Sequence, residues 1–136
     1  MNTTYFKNVI MGNVFGTATG TELPTTYYIG LSSTAPTADG TNVTEPNSAG
    51  SGYTRVQLSS LTAPADGVIS NANAINFPES LSDWFPASAP AKYYVIYDAK
   101  NEGNLLMYNQ LTTSRIIETN TIATIKANSL YLQLTD

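Results

Sequence analysis

Apolar residues near the start of the chain stand at Tyr5, Phe6, Val9 and Ile10. That spacing of i, i+1, i+4, i+5 lies on one face of a helix and predicts one over residues 3–11. Thr3 or Thr4 supplies the hydroxyl that accepts from a first-turn amide. Gly12 stands where a left-handed residue closes a helix. A helix this short is marginal alone and must dock onto something. "TATGTEL" then reads as a loop, and "TTYYIGLSS" (25–33) favours a pleated surface through Thr, Tyr and Ile. "YTRVQLSSL" (53–61) sets Tyr53, Arg55 and Gln57 against Thr54, Val56 and Leu58, a strand with one polar face. A turn at Asp66-Gly67 is followed by two short strands, 68–70 and 74–77. At the far end Ile122, Thr124 and Lys126 oppose Ala123 and Ile125, and Asn128-Ser129 makes a break. Leu130, Leu132 and Leu134 then alternate with Tyr131, Gln133 and Thr135, the period of a strand with one buried face.

The stretch "YYVIYDAKNEGNLLMYNQL" (93–111) breaks this alternation. Two apolar runs flank a polar turn, which predicts a hairpin, with Asn101 and Gly103 available for positive φ. Both runs are apolar without interruption, so both faces of the hairpin must be covered. One face belongs to the core. The other must meet the N-terminal helix or a neighbouring subunit. Tyr93, Tyr94, Val95, Tyr97 and Tyr108 of the hairpin, with Tyr5 and Phe6 of the helix, are the candidate packing or interface residues, because tyrosine buries a large ring and keeps a hydroxyl for a partner.

Between these elements lie two long connections. "TAPTADGTNVTEPNSAGSG" (34–52) is an exposed loop by composition, and loops of this length are usually functional or disordered. "ESLSDWFPASAPAK" (79–92) is a proline-rich connector that Trp84 and Phe85 anchor to the body. Short strands at intervals near ten residues, with one N-terminal helix, predict a mainly β fold: an antiparallel, jelly-roll-like β-sandwich. At 136 residues the chain is one domain, with residues 1–16 as helix and lead-in.

Composition narrows the function. The chain has no histidine, which removes the commonest general base and metal ligand. It has no cysteine, hence no disulfide framework. The six cations (Lys7, Arg55, Lys92, Lys100, Arg115, Lys126) are scattered and the net charge is −4, which argues against a nucleic-acid groove. No apolar run approaches the ~20 residues of a bilayer span, and "MNTTYFKNVIMGNVFG" lacks the basic n-region of a signal peptide. A soluble, unexported, non-enzymatic protein without a cofactor is expected.

The carboxylates read as turn chemistry. Glu79 and Asp83 are four apart, and Asp98 and Glu102 flank the hairpin turn. Nothing in the sequence brings a pair across a cleft as carboxylate hydrolysis requires. In loop 34–52, Asp39, Asn42, Glu45 and Asn47 are oxygen donors and form the candidate ligand loop, for a surface glycan or a calcium ion. Their spacing is not that of an EF-hand.

The order of motifs resembles a group of small tailed-bacteriophage virion proteins labelled tail fibre proteins. The resembling pieces are the N-terminal helix, "YYIGLSSTAPTADGT", "GSGYTRVQL", "ISNANAINFP", "DWFP", "YYVIYDAKNEGNLLMYNQLTTSRII" and "NTIATIKANSLYLQL". The "YDA…GNLL.Y..L" hairpin is the most specific of them. The connector "ESLSDWFPASAPAKYY" is longer than is usual in that group. The resemblance implies a structural virion component, assembled in the host bacterial cytoplasm. It implies an oligomer, with a trimer as the expected state, attached to tail, baseplate or head through other virion proteins. A capsid decoration protein and a host-glycan-binding receptor module are the alternatives. No catalytic residue carries over.

Overall fold

A computed structural model describes residues 1–17 and 21–134. Residues 18–20 of the loop after the helix, and Thr135 of the terminal alternation, lie outside the described residues. The chain forms one helix, α1 (Thr4–Val14), and eight strands: β1 (Tyr28–Ser32), β2 (Val56–Gln57), β3 (Val68–Ser70), β4 (Ile75–Asn76), β5 (Ala91–Tyr97), β6 (Leu105–Arg115), β7 (Thr124–Ile125) and β8 (Tyr131–Gln133). β2-β1-β5-β6 make one four-stranded sheet, and β3-β8 and β4-β7 make two ribbons. Every pairing is antiparallel. The mainly β fold and the broad sandwich arrangement are as the sequence predicts, with ribbons in place of a second full sheet.

Thr3 is the N-cap of α1 and accepts from the Phe6 amide at 3.2 Å. The helix runs past Gly12 to Val14, so Gly12 does not end it. The left-handed residue is Gly16, at φ 70°, and the Thr17 amide reaches back to the Gly12 carbonyl at 2.8 Å, the long bond of a Schellman closure. Asn13 stabilises the extra turn by donating to the Val9 carbonyl at 2.8 Å.

The main core gathers Ile29, Leu31, Ile96, Phe77, Phe85 and Leu130, with Leu132, Ile75 and Ile125 of the ribbons packed against it. Trp84 and Phe85 anchor the connector as expected: Trp84 donates to the Ser51 carbonyl at 2.8 Å, and its ring meets Tyr53 edge-on at 5.2 Å. The terminal alternation holds for Leu130 and Leu132 but not for Leu134, which is 67% exposed. β8 pairs with β3 only as far as Gln133, so no core surface lies under Leu134.

The hairpin is β5-β6. Tyr94, Ile96 and Met107 face the main core. Val95, Tyr97, Leu105 and Tyr108 face the other way and form a second cluster. That second face is covered by the chain itself. Val43 of loop 34–52 packs on it, and α1 packs against β6. Residues 1–3 lie along the outer edge of β6, with the Thr3 amide on the Leu106 carbonyl and the Tyr108 amide on the Met1 carbonyl, both at 2.9 Å. The positive φ values of the turn fall at Glu102 and Gly103 and not at Asn101. The Asp98 carboxylate, accepting from the Asn104 backbone and side-chain amides at 2.8 and 3.0 Å, fixes the turn in that register.

Candidate functional site

Three features could carry function: the network under loop 34–52, a groove beside β6, and the outer face of α1.

The network centres on Arg55. Of the stretch 53–61 only Val56 and Gln57 pair in the sheet, and on the face expected to be polar Tyr53 and Arg55 are buried while Gln57 is exposed. Arg55 forms a bidentate pair with Glu45, with Nη2 to Oε1 at 2.7 Å and Nε to Oε2 at 3.0 Å. Its Nη1 donates to the carbonyls of Ala99 and Glu102 at 2.9 and 2.7 Å, and its guanidinium lies over the Tyr97 ring. The Tyr53 hydroxyl donates to Glu45 at 2.5 Å and accepts from the Leu31 amide at 3.1 Å. Burial, and then the Glu45 charge, hold the Tyr53 phenol far above its ordinary range. Burial first, then Glu45, raises the Tyr97 phenol as well, while Arg55 opposes the rise. The hydrogen bonds of this network are made within the fold. It clamps loop 34–52 to the β5-β6 turn.

The rest of the candidate ligand loop is also committed to local structure. Asp39 accepts from the Thr37 and Thr41 hydroxyls, which hold its carboxyl below the usual range. Asn42 sits at φ 63° and donates to the Ala35 carbonyl at 2.8 Å. Asn47 accepts from the Ala49 amide at 3.0 Å. Asp39, Asn42 and Asn47 point to separate partners and do not converge with Glu45. No group of three or more His, Cys, Asp or Glu that could hold a metal occurs among the described residues.

The hairpin candidates divide by exposure. Phe6, Val95, Tyr97 and Tyr108 are buried within the chain, Tyr93 and Tyr94 are half-buried, and Tyr5 is exposed. Tyr94 donates to the Tyr131 carbonyl at 2.9 Å, tying the sheet to β8.

The groove lies where β6 leaves β5. Gln110 pairs with Tyr93 and Arg115 with Ala91, so Leu111 to Ser114 bulge outward opposite Lys92. Between this bulge and residues 123–130 runs a groove of about 480 Å³. Its floor is Leu31, Phe77, Tyr94 and Leu130, and its rim carries Thr112, Thr113, Thr124 and Ser129, with Arg115 and Lys126.

The outer face of α1 is the third feature. Phe6 and Val9 are buried against the body, whereas Met11, Val14 and Phe15 are 55%, 66% and 69% exposed. At about 100° per residue these three share the face opposite Phe6 and Val9. Leu23, 48% exposed, lies two residues beyond Thr21, whose carbonyl accepts from Asn13 on the helix at 3.3 Å. The apolar period that predicts the helix ends at residue 11, short of this face. The run Met11, Val14, Phe15 was its visible signal.

A family model described as podophage GP4 fiber I protein gp80 matches residues 1–133 of this chain. The chain belongs to that family. It is therefore a structural protein of a bacteriophage fibre and a component of the virion. No curated protein matches it. No described helix is long and apolar enough to cross a membrane.

Proposed function

We propose that this fibre protein works without catalysis, by associating with copies of itself and docking onto other virion proteins. The observation that carries this reading is the C-terminal end of α1, where Met11, Val14 and Phe15 are exposed opposite the buried Phe6 and Val9. Here only one face is covered by the chain, and Met11, Val14, Phe15 and Leu23 stay in solvent. In a fibre subunit another copy is the natural cover, and a trimer is the expected state. The network around Arg55 and the clamped loop supply a rigid body that presents this face.

The test is the mass of the purified protein by light scattering. Val14→Ser with Phe15→Ser should reduce it to that of one chain, with the fold retained by circular dichroism. An unchanged oligomer mass would remove α1 from the interface. A monomeric wild-type protein would remove self-association altogether.

A further inference from the structure

We infer that the groove between the β6 bulge and residues 123–130 is a binding site for an acidic saccharide. The inference does not depend on self-association. The chain carries ten carboxylates and six cations. Yet the groove is lined by two of those cations, Arg115 and Lys126, and by no carboxylate. Neither cation makes a side-chain hydrogen bond or ion pair among the described residues, whereas Arg55 is fully engaged. A site of positive sign on an acidic protein selects an anion.

The rest of the lining fits a sugar. The volume of about 480 Å³ falls in the ordinary range of ligand sites, about 300–1,000 Å³. Gln110, Thr112, Thr113, Thr124 and Ser129 give neutral donors and acceptors for hydroxyl groups. Tyr94, with the aliphatic floor, gives a surface for the C–H face of a pyranose. Arg115 matches a carboxylate through two parallel N–H groups. A flat protein partner would not need this alternation of hydroxyl, apolar floor and isolated cation. The backbone supporting the site is fixed, since the Lys126 carbonyl accepts from Asn71 at 2.8 Å and the Asn71 carboxamide oxygen accepts from Leu130 at 2.9 Å.

Calorimetric titration of the full chain tests this, with oligogalacturonate, hyaluronan fragments and oligosialic acid as probes. Each is paired with its methyl ester, which keeps the skeleton and removes the charge. At least one acid should bind, and its ester at least tenfold more weakly. Arg115→Gln and Lys126→Gln should each weaken binding about tenfold, with unchanged melting temperature. Lys100→Gln, at the opposite end of the hairpin, should leave it unaltered. Equal binding of acid and ester, or an equal loss from Lys100→Gln, would overturn the assignment. So would binding of a glutamate-rich peptide with no binding of the acidic saccharides, which would give the groove to a protein partner.

Discussion

The guanidinium carbon of Arg55 lies 3.5 Å from the centre of the Tyr97 ring. On its edge the same guanidinium meets Glu45 at 2.7 Å. One side chain thus joins β5, the hairpin turn and loop 34–52. Their side chains are 8% and 16% exposed, so the pair is buried, and removing one partner strands the other charge. Arg55→Met should cost about 3–5 kcal/mol in urea unfolding. The double variant Arg55→Met, Glu45→Met should cost less than the single one. Additive losses would show that the two side chains act separately.

Gly30 lies beneath the same network. A Cβ there would stand 2.6 Å from Glu45 Oε2 and 2.7 Å from the Tyr53 hydroxyl. Its backbone is ordinary, so the demand for glycine is one of space. Gly30→Ala should destabilise by about 1–3 kcal/mol, the usual cost of overfilling a core. Loop 34–52 should then exchange its amides faster than the rest of the chain. A variant as stable as wild type, with the loop still protected, would show that the network has room to shift.

Thr3 holds two elements at once. Its hydroxyl caps α1 and donates to the Leu105 carbonyl at 2.7 Å. Thr3→Ala loses a cap and leaves a buried carbonyl short of a partner, about 1–3 kcal/mol together. Hydrogen exchange should quicken at the Phe6 amide and in the first half of β6. Exchange confined to α1 would mean that the cap alone matters.

Four phenols, those of Tyr27, Tyr53, Tyr94 and Tyr97, are pushed above the ordinary tyrosine value, each chiefly by burial. A raised folded value means that the folded state holds its proton more tightly than the unfolded chain. The stability this adds is complete below the unfolded value of about 10. It is lost as pH rises from there through the folded values. Ultraviolet titration should show part of the tyrosinate absorbance arriving only with unfolding. Trp84, the single tryptophan and buried, reports that unfolding by a red shift of its emission. Complete ionisation with unshifted emission would contradict the expected coupling.

The hairpin was legible because an apolar run on both faces has few explanations, and the answer, cover by the chain's own loop and helix, is a matter of tertiary packing. The extent of α1 was not legible. Gly12 carries the C-terminal signal in the sequence, but Asn13 bonds within the helix and the left-handed residue is Gly16. Arg55 misled for a related reason. Alternation treats a charged residue as solvent-facing, whereas a carboxylate ten residues earlier turned this one inward. The groove is invisible at the level of pattern, since Arg115 and Lys126 come together only through a bulge and a ribbon.

Among the described residues the four-stranded sheet has two edge strands. One is β2, two residues long. The other is β6, screened from Leu105 to Tyr108 by residues 1–3 and thrown out of line from Leu111 to Ser114. Exposed strand edges invite open-ended stacking of like chains, and short, covered or bulged edges prevent it. At this sheet, contact between copies would therefore fall to side chains and not to backbone ladders.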